Sequence, residues 1–388
     1  MSAALHRRAR APANERLKTA LVHDYLNQRG GAERVFRHIA DLFPEAPIYT
    51  ALFDPAVTGD LFDARRVRAS VLQRLPFTRR AFRYLAPFYP AVFERFDLSA
   101  YDLVVSSTSA WAKGVRVRPG TTHVCYLHTV SRFVFAYDSY VGGLGVPSLA
   151  KPLIRSLAAW DVAAAQRPTS LVANSRNVAE RAQRFYGRTA RVVHGPVDLE
   201  RFTVGDGSGD YFLVASRLLP YKRIDIAIQA CASAGARLLI AGTGPARRSL
   251  ERVAAGTHTE FLGQVSDADL CAVMGRARAV LFVGEEDYGL VPLEANASGR
   301  PVLAFGAGGA LETVVPGVTG EFFAEPDAAA LARLLVAFDP ARYDAARLRA
   351  HAEQFSPAAF KAGLRAAIDA AVAQLPASRR RSASVSRA

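Results

Sequence analysis

Short apolar runs alternate with amphipathic stretches along almost the whole chain. In the first half, apolar runs predict strands at Thr19–His23, Ile48–Leu52, Leu103–Ser106, His123–Leu127, Ser170–Ala173 and Arg191–Val193. Between them, apolar positions at helical spacing predict helices over Ala32–Leu42, Leu149–Arg167 and Asn177–Phe185. A Gly/Asp-rich stretch, Val204-Gly-Asp-Gly-Ser-Gly-Asp210, breaks the pattern and reads as a linker. The alternation then restarts with strand Tyr211–Ala215, helix Arg223–Ala234, strand Arg237–Ala241, helix Arg247–Val253, strand Glu260–Leu262 and helix Asp267–Gly275. A strand over Ala279–Val283 follows, then a helix from Pro292 that stops near Gly299, and Pro301 opens the next strand. Strand-helix alternation on this scale predicts an α/β protein with two doubly wound, Rossmann-like domains and a cleft between them. The expected boundaries are a disordered leader over 1–16, an N-terminal domain over 17–205, and a second domain over 206–354. A closing helix over 355–375 and a disordered tail over 376–388 complete the division.

Composition changes that picture only in part. The chain has 388 residues, half of them hydrophobic, enough for two cores of ordinary size. It contains no run of about twenty apolar residues that would span a bilayer, and its Arg-rich start lacks the apolar region of a signal peptide. Cys125, Cys231 and Cys271 are odd in number and far apart, which suits neither a disulfide framework nor a zinc site, so a reducing cytoplasm is the expected compartment.

Charge is more informative in its distribution than in its sum. Of the net +14, residues 1–18 contribute +4 and residues 376–388 another +4. The stretch between Arg65 and Arg95, where eight arginines face only Glu94, alone carries +7, so the rest of the body is near neutral. Phe77, Phe82, Tyr84, Phe88, Tyr89 and Phe93 are interleaved with them. That mixture suits an anionic bilayer surface, an RNA, or a half-buried helical hairpin with a solvated rim. Membrane contact ranks first only if the chain builds a lipid-linked product.

The candidate chemistry is densest after the Ala279–Val283 strand, in Val283-Gly-Glu-Glu-Asp-Tyr-Gly-Leu-Val-Pro-Leu-Glu294. Glu286 falls in the loop at the carboxyl end of a predicted strand, where open α/β sheets place their ligands. Glu294 is expected about two turns into the next helix, whose N-terminal amides point at the same crevice. Glutamates are ordinarily solvated charges, but Leu293, Ala295 and Ala297 around Glu294 do not make a charged face. This Glu, seven residues, Glu pattern ahead of Gly-Arg-Pro-Val resembles the retaining GT-B glycosyltransferases of family four. The commoner wording there is Glu-Gly-Phe-Gly-Leu. Asp287 and Tyr288 in place of Gly and Phe resemble the branch that uses GDP-mannose in polysaccharide assembly.

Further segments carry the resemblance from about Leu21 to Leu375. Gly30-Gly31 opens a helix after the first strand, where glycine lets a backbone approach a phosphate; a shape requirement alone would also explain it. His128 ends an apolar strand and either faces a ligand or is a core histidine bonded to a carbonyl. Ser216-Arg217-Leu-Leu-Pro-Tyr-Lys222 resembles the family's Ser-Arg-Leu-x-x-x-Lys motif, with Arg223 where glycine is common. Phe355-Ser-Pro and the helical pattern behind it resemble the family's closing helix. The resemblance implies that Glu286 and His128 contact the donor sugar. It likewise implies that Gly30, Gly31, Arg217, Lys222, Gly289 and Leu290 bind the donor diphosphate, and that Glu294 holds the ribose.

Three patterns point elsewhere and are set aside. Asp267-Ala-Asp269 spells a metal motif, but Ser266-x-x-Asp269 ahead of Leu270 and Val273 is better explained as a helix cap, so no metal is expected. Gly242-Thr-Gly244 lacks the third glycine of a dinucleotide fingerprint. Gly308-Gly309 reads as a structural turn, with Glu312 behind it.

The expected activity is therefore retaining transfer of a hexose, mannose from GDP-mannose, to a lipid-linked or oligosaccharide acceptor. The donor is a substrate and no cofactor is expected. The expected setting is the cytoplasmic face of an inner membrane, with no nucleic acid partner. The rivals are a sugar nucleotide epimerase of the same fold and a non-catalytic sugar- or RNA-binding protein.

Overall fold

The computed structural model describes residues 17–76, 78, 82–135 and 151–374. The expected leader and tail, together with Phe77, Arg79 and Arg80, lie outside them. Packing divides the chain into two compact units. One takes in residues up to Tyr126, Ala164–Val172 and the chain from Gly363; the other comprises Leu127–Ala163 and Ala173–Ala362.

Seven strands form the first sheet: β1 (Thr19–His23), β2 (Ile48–Thr50), β3 (Val67–Ala69), β4 (Leu103–Thr108), β5 (Thr122–Leu127), β6 (Ser170–Ala173) and β7 (Arg191–Val192). Their order is β3-β2-β1-β4-β5-β6-β7, and β1 runs parallel to both β2 and β4. Every residue of β1, β4 and β5 is buried, which explains why these strands read as continuous apolar runs. The second sheet has six strands: β8 (Tyr211–Ala215), β9 (Arg237–Ala241), β10 (Thr259–Gly263), β11 (Ala279–Phe282), β12 (Val302–Phe305) and β13 (Gly320–Phe323). Its order is β10-β9-β8-β11-β12-β13, parallel throughout.

Each order reverses once, between β1 and β4 in the first sheet and between β8 and β11 in the second. The connections leaving such a pair diverge to opposite faces of the sheet and open a crevice at its carboxyl edge. In the second sheet the loops that meet there are Ser216–Arg223 and Val283–Leu290. These are the two loops that carry the sequence signature.

The long helices follow the predicted spacing: Gly31–Asp41, Lys151–Ala165, Arg176–Tyr186, Ile224–Ser233, Arg247–Val253, Asp267–Arg276 and Pro357–Ala373. The signature helix, Val291–Ala297, is shorter than expected and places Glu294 in its first turn rather than two turns in. Between Arg65 and Arg95 the described residues form short turns rather than a helical hairpin, one of the three alternatives for this stretch. Three-residue strand β3 lies among them, with 3-10 segments at Ala64–Arg66, Val71–Arg74 and Phe82–Phe88 and a short helix at Tyr89–Glu94.

Candidate functional site

Lys222 and Glu286 reach each other at the switch point of the second sheet. Lys222 closes the 3-10 turn Pro220–Lys222, and its ammonium also lies 5.1 Å from the centre of the Tyr221 ring. Burial pushes the Lys222 ammonium down to about 7, with Arg132 and Arg217 acting in the same direction and Asp287 opposing them. Contact with the Glu286 carboxylate favours the charged form. Arg217 stands in the same loop and is exposed. The two loops touch at their backbones too: a side chain on Gly284 would come within 2.9 Å of the Lys222 backbone, so glycine is what permits this approach. Arg223, where the family commonly has glycine, is the one non-glycine residue with positive φ among those described, at 50°. That conformation explains the family's glycine directly.

Behind Glu286 the loop turns through Gly289, whose φ of +78° excludes most side chains. Gly289 and Leu290 lead into the Val291–Ala297 helix, where Glu294 approaches Arg201 at 3.5 Å. Arg201 also pairs with Asp267 at 3.2 Å. No motif announces Arg201 in the sequence. Asp269 holds the Ser266 cap, its amide donating to Ser266 Oγ at 3.1 Å and its carboxylate accepting from that hydroxyl at 2.6 Å. That is the capping geometry expected of Ser-x-x-Asp.

A set of contacts the sequence did not reveal surrounds the signature loop. Asp287 is held by Arg132 Nε at 2.6 Å on one oxygen and by Arg181 on the other. Ser175 Oγ donates to the Asp287 carbonyl at 2.7 Å, and Asn177 Nδ2 to the carbonyls of both Glu286 and Asp287 at 3.3 Å. Gly309 donates its amide to the Glu286 carbonyl at 2.8 Å. Side chains at Gly308 and Gly309 would overlap the backbones of Glu286 and Tyr288, so this turn is structural, as expected. Glu312 accepts from the amides of Arg176 and Asn177 at 2.8 and 3.1 Å and lies 2.9 Å from His194 Nε2. Burial alone would raise the Glu312 carboxyl, but His194 and the two amides hold it below its usual range. Tyr288 replaces the commoner Phe with a purpose: its hydroxyl donates to the Gly195 carbonyl at 2.9 Å.

His128 follows β5 directly and is buried, and its carbonyl accepts from Asn174 Nδ2 at 2.9 Å. In the other unit, Gly30 caps the Gly31–Asp41 helix, and its amide donates to Glu33 at 2.8 Å. Of the two glycines, Gly30 therefore spends its amide inside the chain. At the β1/β4 switch point the Asp24 carboxylate accepts the amides of Ser109, Ala110, Trp111 and Ala112 at 2.7–3.0 Å, fixing the loop after β4.

Comparison with known proteins agrees with this geometry. Residues 29–201 match the family described as Glycosyltransferase Family 4, and residues 200–352 match Glycosyl transferases group 1. A D-inositol 3-phosphate glycosyltransferase of Streptomyces avermitilis is 32% identical over 328 residues, covering 72% of this chain and 67% of that protein. The Mycobacterium avium protein of that name is 34% identical over 193 residues, 42% of this chain. The match spans 45% of that protein, so the chain covers somewhat under half of it. A GDP-mannose-dependent monoacylated alpha-(1-6)-phosphatidylinositol monomannoside mannosyltransferase of Corynebacterium glutamicum is 37% identical over 158 residues. That match covers 36% of this chain and 41% of the relative. Among solved structures, Anabaena Alr3699/HepE in complex with UDP and glucose superposes with a TM-score of 0.67 at 19% identity, covering 91% of this chain and 100% of that one. With two parallel doubly wound sheets of the GT-B kind and these matches across both, the chain belongs to the glycosyltransferases of family 4 and group 1.

Proposed function

We propose that the protein transfers a hexose from a nucleoside diphosphate sugar to an acceptor hydroxyl with retention at the anomeric carbon, and that the donor is GDP-mannose. The observation that carries this reading is the meeting of Lys222 with Glu286 at the switch point of the second sheet, with Arg217 in the same loop. A diphosphate placed there would exchange the Glu286 carboxylate for its own oxygens on Lys222, leaving Glu286 to accept hydrogen bonds from the sugar. Glu294 holds the ribose, His128 contacts the sugar, and the backbones of Gly31, Gly289 and Leu290 approach the diphosphate. Gly30 shapes that approach through its bond to Glu33. Two cations and backbone amides fixed before the reaction stabilise the charge that develops on the leaving diphosphate, and cost no reorganisation as it forms. In a front-face substitution the departing phosphate oxygen takes the acceptor's proton, so no separate nucleophile is needed. No divalent ion takes part. Mannose is favoured by the Asp287-Tyr288 wording and by the GDP-mannose-dependent relative; the acceptor is lipid-linked or an oligosaccharide of a polysaccharide pathway, met at the cytoplasmic face of a membrane.

Mass spectrometry of products from a panel of labelled GDP- and UDP-sugars, with and without excess EDTA, tests the proposal. Transfer from GDP-mannose is expected to survive chelation. Lys222→Ala should lower the rate at least tenfold, roughly the loss of one charge-assisted contact. An isomerised nucleotide sugar formed without acceptor would instead make the protein an epimerase. RNA binding without any transfer would make it a binding protein.

A further inference from the structure

Donor recognition through Glu286 and Lys222 leaves the contacts around Asp287 unexplained. Asp287 stands between two guanidiniums, Arg132 from the stretch after β5 and Arg181 from the Arg176–Tyr186 helix. All three side chains are mostly buried, at 13%, 16% and 18% exposure, so the charges meet with little solvent to weaken them. The same two stretches hold the loop's backbone: the guanidinium of Arg132 lies 3.4 Å from the Glu285 carbonyl, while Asn177 and Ser175 take those of Glu286 and Asp287. The donors are placed in turn, because Ser175 also caps its helix and Glu312 binds the next two amides. Three successive carbonyls and one carboxylate are thus committed around a residue whose own carboxylate points to Lys222.

We propose that Asp287, gripped by Arg132 and Arg181, is a positioning residue that aims Glu286 at the donor sugar. The proposal rests on the assignment of Glu286 given above. A glutamate on an unbraced loop can swing through several rotamers, and a misplacement of about 1 Å at a reacting centre can cost on the order of a hundredfold in rate. Bracing the residue after Glu286 from two sides confines it to one direction. Asp287 also offsets the positive charge that Arg132 places beside Lys222, so the clamp and the cation pair share one electrostatic balance.

Asp287→Asn keeps the size of the side chain and removes its charge, and Asp287→Gly restores the commoner family wording. In both, kcat with GDP-mannose should fall at least tenfold, and hydrolysis of the donor without acceptor should fall in parallel. The affinity for GDP measured by calorimetry at pH 6, below the Lys222 value of about 7, should stay within about twofold, because the nucleotide does not use Glu286. A purely structural role would weaken nucleotide binding along with the rate. Wild-type kcat in Asp287→Asn, or GDP affinity lost in proportion to rate, would overturn the proposal. Arg181→Gln, which leaves Arg132 on Asp287, keeps the test open should the Asp287 variants fail to fold, and should lose about threefold in kcat. If the unaltered protein transfers nothing from any donor, the glycosyltransferase reading fails by itself. Amide exchange then decides the clamp: exchange at Gly309, whose amide the Glu286 carbonyl holds, should quicken at least tenfold in Asp287→Asn, and unchanged exchange would overturn it.

Discussion

Lys222 shows how one side chain can be tuned by where its loop is folded. Its ammonium is pushed down to about 7 by burial first and then by Arg132 and Arg217. On the proposed role, a diphosphate would take the place of Glu286 on Lys222 and favour the charged form, so donor binding at a pH where the amine is neutral would take up a proton. The KM for donor should therefore rise by up to about tenfold per pH unit above 7 in the unaltered protein. Lys222→Arg keeps its charge across that range and should flatten the dependence, at some cost in absolute rate since the guanidinium is larger. Parallel slopes for the two proteins between pH 6 and 9 would show that another group governs binding. At this scale the sequence drew attention to Lys222 and Glu286, which the fold brings into contact, and gave little on what holds them. Glu286, Glu294, Arg217 and Lys222 stand out because they sit at fixed spacing in loops between apolar strands. Arg132, Asn177, Arg181, Arg201 and Glu312 act through partners 66 to 155 positions away in the chain, at separations no local pattern encodes. Only Asn174-Ser175 at the end of β6, ahead of a helix, offered a local hint, since a strand's carboxyl end followed by a capping serine is a familiar ligand position.

Elements were legible where they are buried and long. β1, β6, β8 and β9 match their predicted bounds because each is an apolar run that nothing else in its neighbourhood imitates. β3 went unseen: its three residues, Val67-Arg68-Ala69, lie half-buried or exposed at the edge of the sheet and show no apolar pattern. β5 carries a consequence for stability. His123 within it is fully buried, with Nε2 2.8 Å from Ser106 Oγ on β4. Burial, helped by Arg167, pushes its pKa down to about 3. The folded protein therefore keeps His123 neutral while the unfolded chain protonates it below about 6.5. Stability contributed by the neutral ring is present above pH 6.5 and is lost as pH falls toward 3, by at most about 1.4 kcal/mol per unit. Urea unfolding at pH 7, 5.5 and 4.5 should show this loss, and His123→Gln, which cannot protonate, should lose less over the same interval. Equal losses in the two proteins would assign the acid sensitivity to carboxylates instead.

The whole molecule adds one property that neither motif nor sheet explains. Among the described residues no helix is long and apolar enough to cross a membrane, yet one stretch of the first unit exposes several large apolar side chains together with arginines. Tyr84 is 85% exposed, Val71 72%, Phe88 58% and Leu75 48%, while Arg68, Arg74, Arg83 and Arg95 around them are exposed as well. Tyr89 and Phe93 of the same stretch are fully buried, so the aromatics divide into one set that anchors the turns and another turned outward. Apolar tips among cations are what an anionic bilayer surface selects, since the rings enter the headgroup layer and each cation adds about 1 kcal/mol. Vesicles of phosphatidylglycerol should then bind the protein more tightly than vesicles of phosphatidylcholine, and 0.5 M salt should weaken the binding by screening. Replacing Tyr84, Phe88 and Arg83 together with Ser should release the protein from anionic vesicles while leaving transfer to a short soluble acceptor unchanged. Equal binding to the two kinds of vesicle would remove the electrostatic part of the argument. Loss of transfer to the soluble acceptor would place this stretch in acceptor binding rather than on the membrane.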